Sequence, residues 1–263
     1  MIRPPLPRWL AVPAVMAAVF LAVPLLAMLV RVPWDRLPAL LAAPASMDAL
    51  WLSLRTCTLS ALLALALGLP LALLLSRARG RWATVVRTLA TMPMVLPPVV
   101  AGLALLVALG RRSPLGAWLE ASGIGLAFTT AAVVVAQTFV AMPYLVVSVE
   151  GALRSARDDF EVAAATLGAG PTTILRRVSL PLVAPAIASG TALAFARALG
   201  EFGATLTFAG SLQGTTRTLP LEIYLQRELD TDTAIALSVV LMALAALLVA
   251  ATARWGRGAQ AWA

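Results

Sequence analysis

Arg197 and Glu201 stand four residues apart inside an apolar run over about residues 182–208, so helical periodicity puts them on one face. A charged side chain at the centre of a bilayer costs about 2.5–3.5 kcal/mol on insertion scales, so the two charges need a partner or a wet cavity. Two readings follow: a self-neutralising pair that packs a helix bundle, or an arginine facing a path along which an anion passes. A second constellation is Asp158-Asp159-Phe160-Glu161-Val162-Ala163-Ala164-Ala165-Thr166-Leu167-Gly168. Phe160, Ala163, Ala164 and Leu167 recur at helical spacing and share one apolar face. Asp158, Asp159 and Glu161 sit where carboxylates favour a helix dipole, and Gly168, Gly170 and Pro171 stop the helix. Thr172 or Thr173 is placed to cap a second helix that Pro181 ends or kinks. A short helix with a small-residue face suits docking into a groove on a soluble partner.

A third constellation is Pro93, Pro97 and Pro98, followed by Gly102. Proline removes backbone donors and bends a helix. Groups freed in this way at membrane depth are tolerated where they face a cavity, and a plain kink is the alternative. Gly200 and Gly203 permit close helix contact, and Gln137 is expected to hydrogen-bond between helices.

The missing residue types exclude more chemistry than the present ones suggest. The chain has no histidine and no lysine, and all 20 basic residues are arginine. Without histidine there is no Ser–His pair and no imidazole metal ligand. Without lysine there is no Walker A motif, so any ATP and Mg²⁺ belong to another chain. The single cysteine, Cys57, lies in an apolar run and makes no internal disulfide. No cofactor or metal is expected in this chain. The net charge of +8 comes from arginines set between long apolar runs, which argues for a membrane and against nucleic acid.

The elements that must carry these residues follow from hydropathy. With 61% apolar and 12% charged residues, a 263-residue soluble globule has no way to bury its apolar surface. Six stretches reach the length of about 20 residues that a membrane helix needs: about 9–30, 50–75, 90–109, 124–149, 182–208 and 234–253. The first is too long for a signal-peptide core and is read as a retained helix. With the N-terminus inside, 12 arginines fall in inside segments and 7 in outside segments, Arg197 lying within a span. The positive-inside rule therefore puts both termini in the cytoplasm. It also puts the long 150–181 loop there, a segment well beyond the ordinary helix connection. The expected organisation is an N-terminal helix and outer loop over 1–48, a transmembrane domain over 49–253 and a cytoplasmic tail over 254–263.

The loop resembles the EAA loop of permease subunits of bacterial ATP-binding-cassette importers: Glu-Ala-Ala, three residues, Gly, nine residues, then Ile-x-Leu-Pro. Ala163 and Ala164 take the alanine positions, Gly168 the glycine, and Val178-Ser179-Leu180-Pro181 the end. One position departs: Val162 stands where the family has glutamate, and Glu161 precedes it. Three further runs resemble the molybdate, sulfate and tungstate group, the molybdate branch most of all. They are Phe195-Ala196-Arg197-Ala198-Leu199-Gly200-Glu201-Phe202-Gly203-Ala204-Thr205-Leu206, Pro93-Met94-Val95-Leu96-Pro97-Pro98-Val99-Val100, and Thr216-Arg217-Thr218-Leu219-Pro220-Leu221-Glu222-Ile223-Tyr224-Leu225.

The resemblance implies an all-α membrane protein with the six-helix fold of type I importer permeases, acting in the bacterial plasma membrane. It implies a homodimer, a pair of ATP-binding subunits on the cytoplasmic face and an extracytoplasmic oxyanion-binding protein. Phe160, Glu161, Ala163, Ala164, Leu167 and Gly168 would form the ATPase-coupling loop. Pro97, Pro98, Arg197, Gly200 and Glu201 are the candidates for a translocation path for a tetrahedral oxyanion: molybdate, or else tungstate or sulfate. A stand-alone secondary transporter is the more distant reading. It calls for inverted repeats and intramembrane ion ligands, and no clear repeat is visible.

Overall fold

Proline decides where many of the helices start. The computed structural model describes residues 7–155 and 159–259; Arg3, Arg157 and Asp158 lie outside them. The helices are α1 (Ala11–Arg31), α2 (Leu37–Ala42), α3 (Pro44–Arg77), α4 (Arg81–Val95), α5 (Pro98–Leu109), α6 (Pro114–Ala121), α7 (Thr130–Ser155), α8 (Asp159–Thr166), α9 (Pro171–Ile174), α10 (Leu180–Leu199), α11 (Gly203–Ala209), α12 (Leu219–Leu229) and α13 (Thr231–Ala259). A 3₁₀ turn precedes α1, and a π turn, Leu175–Ser179, joins α9 to α10. Seven of these helices carry proline at their first or second position, where the missing N–H has no intrahelical partner to lose.

Among the described residues, five helices are long and apolar enough to cross a membrane, and α5 and α6 make a sixth if the pair, bent by 59°, counts as one span. The third expected span, 90–109, is not one helix. Pro97 and Pro98 divide it, because a residue preceding proline is pushed out of the α region. Leu96 and Pro97 are accordingly extended, with ψ of 135° and 134°. The fifth expected span, 182–208, is also broken, at Gly200-Glu201-Phe202 between α10 and α11. The fourth expected span, 124–149, is shifted to Thr130–Ser155, while α3 and α13 run longer than hydropathy alone suggests. At 34 residues α3 is about 51 Å long, well beyond a hydrocarbon core of about 30 Å. Helix α13 continues to Ala259, through most of the expected tail.

The central helix is α7, whose apolar window is 67% buried, whereas that of α1 is 0% buried and faces outward. Small residues bring neighbours close. A side chain on Gly68 of α3 would meet Leu145 of α7 at 2.8 Å, and one on Gly190 of α10 would meet Ser148 of α7 at 3.0 Å. Two apolar clusters form along α7. One holds Cys57, Leu145 and Leu199, the other Leu105, Val133 and Phe208. Gln137 of α7 ties into α3: Ser60 donates to its Oε1 at 3.1 Å, and its Nε2 faces the Cys57 sulfur at 3.6 Å.

Along α3 the molecule has two polar ends. At one, Ser53 Oγ accepts from Leu219 N at 2.6 Å, and Gln213 of the α11–α12 connection donates to Asp48. At the other, Arg77 meets Glu161 of α8.

Candidate translocation path and coupling loop

The two helix breaks lie against each other. A Cβ on Gly203, the first residue of α11, would stand 2.8 Å from Pro98 Cβ and 3.2 Å from Val99 N at the start of α5. One turn on, a Cβ on Gly102 would meet the Ala204 carbonyl oxygen at 2.7 Å. Both positions are therefore occupied by glycine because backbone, which has little room to yield, fills the space. Gly200 has no such neighbour: its own helix's Ala196 carbonyl, at 3.8 Å, is the nearest atom. Of the two glycines expected to permit close contact, Gly203 is the packed one.

Glu201 is not in a helix, as periodicity suggested, but in the break itself. Its carboxylate nevertheless does two things. Oε1 accepts from Ala204 N at 2.7 Å, capping α11 where a negative charge meets the positive end of the helix dipole. Oε2 lies 2.8 Å from Arg197 Nη1. That contact falls within ion-pair distance but off the line of a hydrogen bond, so Oε2 is bonded by charge alone. Glu201 is 1% exposed and the Arg197 side chain 25%. The acid is thus buried with its charge matched, while the guanidinium reaches the surface of the chain. Thr205, one turn beyond Glu201, is also fully buried, and its hydroxyl has no hydrogen-bond partner among the described residues.

Pro97 and Pro98 are exposed in the single chain. The structure therefore brings Pro97, Pro98, Arg197, Gly200 and Glu201 to the paired breaks. A large apolar cavity of about 490 Å³ lies elsewhere, between α3, α10 and α13, and is lined by Leu62, Ile187, Phe195 and Leu248 among others. A second, of about 540 Å³, touches the break through Phe202, with Met28, Tyr224 and Met242 in its lining. The Phe202 and Tyr224 rings meet at a 52° tilt with centres 5.1 Å apart.

The end of the molecule around α12 holds a second buried acid that sequence reasoning did not single out. Glu222 accepts from Gln226 Nε2 at 2.7 Å and pairs with Arg217 at 3.3 Å. Close by, just ahead of α13, the Thr233 hydroxyl bonded to Asp230 holds that carboxyl below the usual carboxylate range, partly offset by desolvation.

At the other end, α8 stops as expected. Gly168 adopts φ +82°, Gly168 N donates to Ala165 O, and Ala169 N donates to Ala164 O, both at 3.0 Å. This is the glycine-terminated closure that satisfies the last helical carbonyls. The following helix differs from expectation. Gly170 and not Thr172 or Thr173 sits at its cap, and Pro181 does not end it, because the π turn carries the chain into α10. The face expected from Phe160, Ala163, Ala164 and Leu167 is open. Phe160 is 62% and Leu167 88% exposed, Ala163 is exposed and Ala164 half-buried. Glu161 turns the other way, onto Arg77 and Ser179. Arg77 lies 84 residues earlier, so no local pattern announces the pair.

Residues 64–255 match the family of binding-protein-dependent transport system inner membrane components. The chain belongs to this family. It is 59% identical over 244 residues to the molybdenum transport system permease protein ModB of Mycobacterium tuberculosis, covering 93% of this chain and 92% of that one. The ModB protein of Escherichia coli is 41% identical over 178 residues, 67% of this chain and 78% of that one. A solved bacterial ABC transporter involved in import of the acidic polysaccharide alginate shares the fold, with a TM-score of 0.73 at 17% identity over 94% of this chain and 93% of that one. An inner membrane component with several long apolar helices is a multi-pass membrane protein.

Proposed function

We propose that this chain is the pore-forming permease subunit of an ATP-driven importer that carries molybdate across the bacterial plasma membrane by alternating access. The observation that carries this reading is the 59% identity to a molybdenum permease along nearly the whole chain. The permease works as a dimer of this chain, with both termini and α8 on the cytoplasmic side. ATP and Mg²⁺ are bound and hydrolysed by a separate pair of subunits docked on the open apolar face of α8. An extracytoplasmic binding protein delivers the oxyanion to the opposite end, near α12. The chain itself makes and breaks no covalent bond.

The geometry suits passage better than storage. A carrier path must attract its ion enough to admit it and hold it weakly enough to release it. Arg197 offers a guanidinium to a dianion, but Glu201 already neutralises much of that charge at 2.8 Å. Selection among tetrahedral oxyanions is then left largely to the binding protein.

The test is the complex reconstituted in vesicles with its ATP-binding subunits and binding protein. Molybdate should stimulate ATP hydrolysis and accumulate inside, with tungstate and sulfate as competitors. ATP-independent molybdate exchange by this chain alone would favour a secondary transporter and sink the proposal.

A further inference from the structure

Glu161 stands one position before the residue that carries the acid in the resembled loop motif. Successive residues on a helix point about 100° apart, so this one-residue displacement changes the side it faces. Val162 occupies the motif position and is 58% exposed, turned about 160° around the helix from Phe160. Glu161 faces the body of its own chain. Arg77 Nη2 donates to both of its oxygens at 3.0 Å, and Ser179 Oγ donates to Oε1 at 2.5 Å. Among the described residues, every side-chain hydrogen bond that leaves α8 ends on Glu161.

The two donors stand on different kinds of support. Arg77 ends α3, and that end is braced. Arg87 Nη2 donates to the Leu75 carbonyl at 3.1 Å, and both Arg87 and Arg154 pair with the buried Glu150 at 2.8 and 3.0 Å. This binds α3, α4 and α7 into one platform. Ser179 closes the π turn and is 1% exposed. A π turn holds one residue more than an α turn and recurs at functional sites, where a helix changes register. From Ser179, α10 runs 20 residues, about 30 Å, to the Arg197–Glu201 break.

We infer that Arg77, Glu161 and Ser179 form an intrachain latch that passes displacement of α8 to α3 and α10, and so to the break in the fifth span. The inference rests on the permease reading above. Glu161 is a positioning residue in it: the partner subunit pushes the apolar face of α8, and Glu161 transmits the push to its own chain. The half-exposed ion pair adds little to stability, since such pairs contribute little. Its part is to keep α8 from sliding against the platform.

The test uses the full complex in vesicles and reads the number of molybdate ions carried per ATP hydrolysed. Glu161→Gln and Arg77→Gln should each lower that ratio about fivefold or more, the low end of coupling between distant sites. The ATP-binding subunits should still co-purify at the normal ratio. Exchanging the charges, Glu161→Arg with Arg77→Glu, should restore most of the coupling. An unchanged ratio in both single variants overturns the latch. So does loss of the ATP-binding subunits from Glu161→Gln, which would make Glu161 a partner contact. Should the charge variants fail to assemble, Ser179→Ala removes one bond only and should still lower the ratio; an unchanged ratio overturns the latch there too. If the wild-type complex does not couple ATP to molybdate at all, the permease reading fails separately. The latch is then read by spin labels at Val162 and Leu74, with buried Cys57 left unlabelled. The distance distribution should broaden in Glu161→Gln, and an identical distribution overturns the latch.

Discussion

The chain places an arginine–glutamate contact at each end of α10, and the two are built to opposite specifications. At the break, Glu201 is 1% exposed, paired with Arg197 and bonded to the first turn of α11. At the loop, Glu161 is 29% exposed and Arg77 59%. Burial decides what each contact does. A buried charge without its partner is costly, so the break pair is a condition of folding that also holds a charge near the candidate path. An exposed pair is nearly neutral in stability, so the loop pair is free to act as a link. The same two residue types thus serve as foundation in one place and as hinge pin in the other.

The largest effect should come from breaking the buried pair. Removing one partner of a buried ion pair costs about 3–5 kcal/mol, because the other charge is left uncompensated. Arg197→Ala should therefore lose most folded protein, measured as monodisperse yield and thermal midpoint in detergent, while Glu161→Gln should hardly change either. The double change Arg197→Ala with Glu201→Ala removes the orphaned charge and should regain yield. If that folded double variant transports normally, Arg197 is packing alone. If Arg197→Ala alone is as stable as Glu161→Gln, the contrast between the two ends disappears.

A second, smaller contrast lies in the glycines beside the two contacts. Gly203 faces Pro98 and Val99 N closely, so any side chain there must move backbone. Overpacking of this kind costs about 1–3 kcal/mol. Gly170 beside α9 has open space around it and an ordinary φ of −71°. Gly170→Ala should be neutral or stabilise by about 0.4–1 kcal/mol through the unfolded chain. The thermal midpoint of Gly203→Ala should fall, while that of Gly170→Ala should hold or rise. Equal shifts would mean that the breaks are not packed as the structure has them.

How much of this was legible in sequence differs between the two regions for physical reasons. The loop is local: its stop at Gly168, its apolar face and its length follow from residues within one another's reach. The break is only half local. The prolines announce the division after Leu96, yet the unwinding at Gly200-Glu201-Phe202 has no proline to announce it, and helical spacing puts Arg197 and Glu201 on one continuous helix. It appears once Pro98 and Gly203 are brought together from 105 positions apart. Arg77 and Glu161 show the same limit, since only the parallel run of α7 beside α3 brings α8 to the Arg77 end. The acidic residue at 161 looked like a slipped motif position. Its direction, and with it the latch, follows from helix geometry once α8 is seated.

The smallest effect is the most discriminating, because it uses salt and no large perturbation. Exposed ion pairs contribute about 0.2–1 kcal/mol and weaken as salt rises. The screening length is about 10 Å at 0.1 M and 3 Å at 1 M. A double-mutant cycle on Arg77 and Glu161 should therefore give a small coupling energy that fades between these salt concentrations. The cycle on Arg197 and Glu201 should give a larger one that holds, because solvent ions do not reach a carboxylate that is 1% exposed. Thermal midpoints of the four variants in each cycle, measured at both salt concentrations in the same detergent, supply both numbers. A salt-sensitive coupling at the break would place Glu201 in contact with water. The buried pair would then belong to an aqueous path and not to the foundation of the fold.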